Sequence, residues 1–207
     1  MSVDPIKIKN MLLTSAQTIL NHIPELTKLD CDLGDGDHGT TMEKIAKTIH
    51  SQVNLWDEKT DVKESLESLN GVLEDVSGGS AAPLVGSYFC GMAEAADNTE
   101  DTDSFIKTIL LGGYDEFYDM SGAEVGGKTM MDAIYPAIQI IRSCDTISAQ
   151  VLESAAAAAK AGSDATADML AKFGRGRYIG VRALGHIDPG SVTFALFFEG
   201  LAKGYQI

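Results

Sequence analysis

The chain has 207 residues, of which 44% are hydrophobic and 22% are charged. This balance is typical of a globular protein that can bury a complete core. The formal net charge of −14 argues against a nucleic-acid partner or an anionic membrane surface, because either polyanion would be repelled by most of the protein.

The three cysteines, Cys31, Cys90 and Cys144, are widely spaced and form no C-x-x-C pair, so neither a disulfide framework nor a zinc site is indicated. The N-terminus has an early acid and no positive-then-apolar signal pattern, and no apolar run approaches the length of a membrane span. No linker or repeat divides the sequence. We therefore expect a single domain over residues 1–207, located in the cytoplasm.

A helical pattern opens the chain and recurs along it. Asp4 and Pro5 are typical of an N-cap and a first helical turn, and apolar residues then keep the helical period as far as Pro24. Asp61 with Glu64 forms a capping-box signature. Helices are predicted over 5–23, 42–53, 61–76, 82–96, 105–117, 129–142, 148–173 and 191–202, and only the run 192–198 could compete as a strand. Eight or so helices indicate an all-α bundle with its glycine-bearing loops gathered at one end.

The segment from Asp30 to Gly39 contains four aspartates, Asp30, Asp32, Asp35 and Asp37, and its glycines disfavour a regular helix or strand. Two like charges about 4 Å apart repel each other by roughly 4 kcal/mol at the effective dielectric constant of a protein. Converging carboxylates must therefore take up protons or bind a cation, and oxygen ligands favour magnesium or calcium. A solvated turn is the plainer interpretation, but turns seldom need four carboxylates.

The spacing of this loop excludes a calcium hand. Such a hand requires Gly at the sixth and Glu at the twelfth position, where this chain, counted from Asp30, has Asp35 and Thr41. Magnesium typically takes one or two protein carboxylates and completes its octahedron with water and phosphate oxygens. The loop therefore predicts a phosphate-bearing ligand.

Residues Gly122 to Thr129 match the Walker A pattern letter for letter. That motif needs a strand feeding the loop and a parallel sheet behind it, whereas residues 105–120 are predicted to be helical, so a P-loop fold is not expected. A glycine-rich turn that opens a helix at Thr129 could still present free N–H groups to an anion. Whether Lys128 contacts that anion or lies at the surface stays open.

Two further groups of residues suit a phosphate. Gly78-Gly79-Ser80 allows close backbone approach and precedes a predicted helix, so phosphate binding and a plain helix N-cap are equally compatible with it. Three of the four arginines, Arg175, Arg177 and Arg182, make a positive spot in an acidic chain.

Two histidines lie beside these segments. His38 follows the last aspartate of the acidic loop, and its role as metal ligand, nucleotide contact or general base stays open. His186 precedes Asp188-Pro189-Gly190, and we expect it simply to order a turn.

Taken together, four segments resemble the nucleotide-binding L subunit, or L domain, of dihydroxyacetone kinases. They are residues 30–39, 78–83, 127–130 and 174–190. The likeness covers nearly the full chain in the same order and spacing. It implies an antiparallel eight-helix bundle or barrel that binds ADP or ATP at one end together with magnesium, expected as two ions.

The resemblance also implies site residues. Three metal-binding aspartates match Asp30, Asp35 and Asp37, which leaves Asp32 as a bystander. The nucleotide-binding positions match His38, Gly39, Thr40, Thr41, Ser80 and Ala81 near the phosphates, Ser121 and Met130 over the nucleotide, and Arg175, Asp188, Pro189 and Gly190 completing the pocket. No residue of this chain is implied to be catalytic.

Three positions depart from the family pattern. The family often has Ala-Ser after the arginine matched by Arg175, where this chain has Gly176 and Arg177, and a Glu before the arginine matched by Arg182, where it has Val181. These changes affect the pocket rim, the partner surface or the branch of the family, and leave the metal site intact.

In the resembling family, a separate K subunit holds the sugar through a covalent bond to histidine, and this chain is long enough only for the L part. A free-standing L chain favours the branch in which ADP stays bound and a phosphohistidine protein of the phosphoenolpyruvate-dependent phosphotransferase system rephosphorylates it. We hypothesise that the chain relays phosphate from that donor, through ADP, to dihydroxyacetone on the K subunit. Alternatives are an ATP-dependent kinase subunit for another short keto sugar, a nucleotide-binding regulatory subunit and a metal-buffering helical protein, and a homodimer is possible.

Overall fold

The computed structural model describes residues 3–97 and 101–207, and within these ranges the side chain of Arg175 is not described. Every regular element of the described residues is helical, which confirms the all-α prediction. Within these two ranges there are nine α-helices: α1 Pro5–Asn21, α2 Ile23–Leu33, α3 His38–Val53, α4 Val62–Glu74, α5 Ala81–Ala95, α6 Thr102–Ser121, α7 Met131–Ser143, α8 Ala149–Ala165 and α9 Pro189–Gly204. Three short 3-10 turns, Thr166–Asp168, Arg175–Tyr178 and Gly180–Ala183, lie between α8 and α9.

Side-chain caps start several of these helices. The side chains of Asp4, Asp61, Asp101, Ser148 and Asp188 each accept a hydrogen bond from a backbone N–H of the first turn. Such a bond satisfies an amide that the helix itself leaves without a partner and is worth about 1 kcal/mol. The predicted caps at Asp4 and Asp61 are therefore confirmed.

Two boundary predictions were wrong. The helix predicted over 148–173 ends at Ala165 and is followed by a 3-10 turn, Thr166–Asp168, and the helix predicted over 5–23 is divided in two. The first helix ends at Asn21, and a separate helix, α2, begins at Ile23 with Pro24 in its first turn. Proline is tolerated there because the first-turn amides need no partner within the helix. As a consequence, the acidic segment begins inside a helix, with Asp30 and Asp32 in the last turns of α2, and the described part has one α-helix more than the eight expected.

Helix α9 lies at the centre of the bundle. Nearly all of its residues are buried, and it packs against α1, α7 and α8, as expected of a helix that is apolar on every side. Phe194 and Phe197 meet Tyr88 of α5 edge-to-face, with ring centroids 5.2 and 5.7 Å apart. The strand considered for residues 192–198 was wrong, because this run is the middle of α9.

The connecting segments converge at one end of the bundle. Residues near the α2–α3, α4–α5 and α6–α7 junctions and from the long α8–α9 connection line one shared cleft, which confirms the predicted gathering of the glycine-bearing loops. Among the described residues, no helix combines the length and the apolar character needed to cross a lipid bilayer.

Candidate functional site

The cleft at the loop end of the bundle has a volume of about 210 Å³. Eleven of the residues named from the sequence line it: Asp30, Asp35, Asp37, His38, Ser80, Ala81, Ser121, Met130, Asp188, Pro189 and Gly190. Gly39, Thr40 and Thr41 are absent from its lining, and the side chain of Arg175 lies outside the described part of the chain. The cleft thus brings eleven of the predicted residues together, and the binding roles predicted for all fifteen remain predictions.

Three aspartates converge at the cleft. One carboxylate oxygen from each of Asp30, Asp35 and Asp37 lies within 4.8 Å of the others. The first is half-buried at the end of α2 and the other two are exposed in the turn before α3. An all-carboxylate set is the type of ligand that magnesium or calcium prefers, so these residues fit the metal that the sequence predicts.

Backbone geometry holds Asp30 in this arrangement. Its Oδ2 accepts a hydrogen bond from the backbone N–H of His38 at 3.0 Å, so one carboxylate joins the end of α2 to the start of α3. A Cβ atom at Gly34 would lie 2.5 Å from Oδ1 of Asp30, closer than any side chain tolerates. Gly36 has a φ of +78°, a conformation that glycine adopts without strain. The glycines between the aspartates are therefore required by the shape of the turn.

His38 is buried beside the aspartates. Its Nε2 lies 2.8 Å from Oγ1 of Thr193, and that hydroxyl donates to the carbonyl oxygen of Pro189 at 3.1 Å. The threonine oxygen therefore accepts from Nε2–H, and Nδ1 keeps its lone pair. Burial lowers the pKa of His38 to about 4, although the charge of Asp30 and the Pro189 carbonyl act in the opposite direction. The imidazole is neutral near pH 7 and offers a hydrogen-bond acceptor, not a positive charge.

The start of α5 faces the aspartates. Ser80 and Ala81 line the cleft, and the Ser80 side chain forms no cap hydrogen bond, so the plain N-cap considered from the sequence is not formed. A Cβ atom at Gly79 would lie 3.3 Å from Oδ2 of Asp37. The first-turn amides of α5 therefore lie close to the aspartates, where a helix N-terminus favours an anion.

Gly39 and Thr41 contact neighbouring segments of the chain. A Cβ atom at Gly39 would contact the carbonyl oxygen of Ile23 on α2 at 3.0 Å. The side chain of Thr41 is buried, and its Oγ1 would lie 2.8 Å from a Cβ atom at Gly78. Both residues therefore bring neighbouring segments into close contact.

The Walker-like turn is occupied by a side chain of the protein itself. The carboxylate of Asp132, which is 1% exposed, accepts from the backbone N–H groups of Gly126 at 2.5 Å and Thr129 at 2.8 Å. These amides are therefore not free for a ligand, contrary to the expectation from the glycine pattern. Sequence reasoning missed Asp132, although an acid in the first turn of a helix after a glycine-rich turn is a recognisable capping signal.

Lys128 lies in the wall of the cleft, and its ammonium group is buried inside the protein. It is 3% exposed, and its ammonium group donates to the carbonyl oxygens of Thr166, Ala183 and His186. The surface position left open for this lysine was therefore wrong. Lys128 also has a φ of +57°, an uncommon conformation for a residue with a side chain.

The opposite wall of the cleft is mainly apolar. Met130 lies against Gly190, since a Cβ atom at that glycine would come within 2.8 Å of its Cγ. Phe117 and Phe173 also line this region. Neither phenylalanine was singled out from the sequence, because helical periodicity alone does not separate a cleft residue from a core residue.

Asp188 connects this wall to α9. Its Oδ2 accepts from the backbone N–H of Ser191 at 2.6 Å, which caps the helix. Burial raises the pKa of Asp188 to about 7, partly offset by the Ser191 hydrogen bond. Arg177 and Arg182 are exposed, and Arg177 contacts the hydroxyl of Tyr178. The positive spot predicted from the arginines therefore has two described members at the protein surface.

Comparison with known proteins shows which family the chain belongs to. The profile of the DAK2 domain matches residues 32–203. The chain belongs to the DAK2 domain family. This confirms the resemblance drawn from the acidic loop and the three other segments.

Two relatives within the DAK2 family match most of the chain. It is 36% identical over 172 residues to "PEP-dependent dihydroxyacetone kinase 2, ADP-binding subunit DhaL" of Listeria innocua, with 80% of this chain and 79% of the relative covered. It is 29% identical over 207 residues to "PEP-dependent dihydroxyacetone kinase, ADP-binding subunit DhaL" of Escherichia coli, with 98% of each covered.

A solved crystal structure also matches. The dihydroxyacetone kinase of C. freundii, in complex with AMP-PNP and Mg²⁺, superposes with a TM-score of 0.71 at 25% sequence identity. The match covers 94% of this chain and 33% of the C. freundii chain. The DAK2 chain described here therefore spans about a third of that longer kinase.

Proposed function

We propose that this DAK2 chain is the ADP-binding subunit of a phosphoenolpyruvate-dependent dihydroxyacetone kinase. The observation that carries the proposal is the convergence of Asp30, Asp35 and Asp37 beside the N-terminus of α5. The relatives from Listeria innocua and Escherichia coli, which match along most of their length, carry that name.

In this proposal Asp30, Asp35 and Asp37 would hold magnesium, expected as two ions. Magnesium, when bound with the nucleotide, would neutralise phosphate charge and align the transferred group. The first-turn amides of α5 bind phosphate oxygens, because a helix N-terminus attracts anions. The apolar wall that includes Phe117 and Met130 covers the nucleotide base.

Phosphoryl transfer leaves little covalent work for a protein, since positioning and charge supply most of the rate. The charge state of His38 is consistent with a positioning role for this chain. His38 is neutral and hydrogen-bonded to Thr193, so it orients groups around the phosphates and does not serve as a cation. The sugar and any base acting on it then belong to the K subunit, as the family resemblance implies.

The finer proposal concerns the phosphate donor. A phosphohistidine protein of the phosphotransferase system rephosphorylates the bound ADP, and the phosphate then passes to dihydroxyacetone on the K subunit, all in the cytoplasm. The test combines the purified chain, the K subunit and dihydroxyacetone with either ATP or the phosphorylated donor protein, and measures dihydroxyacetone phosphate. Many turnovers per bound nucleotide with the donor protein would support the relay, whereas turnover sustained by ATP alone would overturn it.

A second measurement tests nucleotide retention directly. Mass spectrometry of the denatured, freshly purified protein should detect ADP in near-equal amount to the chain. A panel of short keto sugars in the reconstituted assay addresses the alternative substrate, and faster turnover of a sugar other than dihydroxyacetone would replace the proposed one.

A further inference from the structure

Lys128 gathers three distant stretches of backbone around one ammonium group. Its Nζ lies 2.6 Å from the carbonyl oxygen of Thr166 and 2.9 Å from that of Ala183, and it also donates to the carbonyl of His186. An ammonium group has three N–H donors, so these three carbonyls use all of them. The lysine therefore joins both ends of the segment 166–186 to the N-terminus of α7.

That segment forms one wall of the nucleotide cleft. Ala171, Phe173 and Gly176 line the cleft from it. The same segment leaves Leu170, Phe173, Tyr178, Val181 and Leu184 exposed by 39% to 76%, so it has few buried apolar contacts of its own. Its position must therefore depend on polar ties to the rest of the protein.

The tie continues from Thr166 to the cleft. Oγ1 of Thr166 accepts from the backbone N–H of Asp188 at 2.9 Å and donates to the carbonyl of Ser163 at 2.6 Å. Asp188 in turn caps α9 and is followed by Pro189 and Gly190 in the cleft lining. A continuous set of hydrogen bonds thus connects Lys128 to the residues that complete the pocket.

Burial of the Lys128 ammonium group carries an electrostatic cost. Burial lowers the pKa of its ammonium group, and the charges of Asp188, Asp132 and Asp168 oppose that shift. A buried cation is tolerated only when hydrogen bonds compensate for lost hydration. An apolar side chain would fill the same space without this cost. The ammonium group therefore does more than fill space, because it also holds the three backbone carbonyls in position.

We propose that Lys128 is a positioning residue for the nucleotide: its ammonium group holds the segment 166–186 and Asp188 at a fixed position beside Met130. This inference rests on the proposed function. The aspartates of the metal site lie on α2 and the turn before α3, outside the tie. Loss of the ammonium group should therefore weaken nucleotide binding and leave divalent-ion binding unchanged.

The test compares Lys128→Met with Lys9→Met. Lys9 is a matched control because its Nζ also donates to two backbone carbonyls, those of Asn54 and Trp56 at 2.9 and 2.6 Å, beyond the far end of α3. The dissociation constant for ADP with magnesium is measured by calorimetry, and Mn²⁺ binding without nucleotide is measured by electron paramagnetic resonance. Lys128→Met should bind ADP about 10- to 100-fold more weakly with unchanged Mn²⁺ affinity, and Lys9→Met should match the wild type in both.

The outcomes separate the two claims. Failure of the wild-type chain to bind ADP would overturn the proposed function and the positioning role with it. Wild-type ADP affinity in Lys128→Met would overturn the positioning role alone, and so would an equal loss of ADP and Mn²⁺ affinity, because that result indicates general destabilisation.

A second variant covers the case in which Lys128→Met does not fold. Thr166→Val keeps the side-chain volume and the backbone carbonyl that accepts from Lys128. It removes the hydroxyl oxygen that accepts from the backbone N–H of Asp188. We expect weaker ADP binding and faster hydrogen exchange of the amides in 171–186 relative to the wild type. Unchanged affinity and unchanged exchange in this variant would overturn the proposal.

Discussion

Oδ2 of Asp32 lies 3.6 Å from Nδ1 of His186, whereas the aspartates that converge at the cleft are Asp30, Asp35 and Asp37. The reason is helical geometry, because residues two apart on a helix point in different directions. Asp32 is thus separated from Asp30, although both belong to the same acidic segment. The spacing of the four aspartates within a helix and a turn decides which of them converge.

This arrangement supplies a matched pair of variants for the metal site. Asp35→Asn or Asp37→Asn should abolish retention of ADP, because each removes a carboxylate from the converging set. Helical content, measured by circular dichroism, should be unchanged because both residues are exposed. Asp32→Asn removes the contact with His186 in the segment 166–186, so the control is read through the metal: it should bind Mn²⁺ like the wild type, and loss of Mn²⁺ binding would contradict the assignment of three aspartates.

Gly34 provides a steric test of the same site. Gly34→Ala would place a methyl group 2.5 Å from Oδ1 of Asp30, which must displace that carboxylate. We expect magnesium-dependent ADP affinity to fall at least about tenfold, measured by calorimetry. Gly71→Ala is the control, since nothing lies within 4 Å of its new methyl group in α4, and it should raise the free energy of unfolding by about 0.5–1 kcal/mol. Wild-type affinity in Gly34→Ala would show that Asp30 is dispensable.

Asp132 should be important for stability. Asp132→Ala leaves the partly buried amides of Gly126 and Thr129 without their acceptor, and hydrogen bonds to a charged group contribute about 1.5–3 kcal/mol each. Urea denaturation should show a loss of at least about 2 kcal/mol in the free energy of unfolding. A loss below about 0.5 kcal/mol, the range of ordinary surface substitutions, would mean that the turn keeps its shape without this carboxylate.

Stability at alkaline pH should depend on Tyr205. Its hydroxyl donates to Oδ1 of Asp103 at 2.9 Å, and burial, with the charge and hydrogen bond of Asp103, raises its pKa from 10.0 to about 12. The folded protein therefore holds this proton more tightly than the unfolded chain, so the stabilisation is complete below pH 10 and is lost as the pH rises through about 12. Denaturation from pH 9 to 12 should show the difference in stability between the wild type and Tyr205→Phe shrinking with pH. A constant difference would contradict the assigned pKa.

Local signals in the sequence predicted the helices well. The caps at Asp4 and Asp61 involve residues two or three positions away, so their chemistry is visible in the order of the residues. Pro24 was misinterpreted as the end of a helix because proline is equally compatible with a first helical turn. The tertiary contacts of α2 decide whether Pro24 ends one helix or begins another, and these contacts involve residues far along the chain.

In the candidate site, too, contacts between residues near each other in sequence were predictable and contacts between distant residues were not. The acidic loop was predictable because its ligands lie within eight residues of one another. The position of Lys128 was not, since its three carbonyl partners lie 38, 55 and 58 residues away. The Walker pattern was misleading for a related reason, because the same letters describe a turn that binds phosphate and a turn that Asp132 already fills.

The self-contained turn around Asp132 has a kinetic consequence. A phosphate-binding loop that depends on its ligand for order must lose conformational freedom at the moment of binding, and this lowers affinity. Here the entropy of that turn is lost during folding, because its anion is part of the same polypeptide. A nucleotide that enters meets a rigid surface on this side, so its rate of arrival should reflect diffusion and charge, not the closing of a loop.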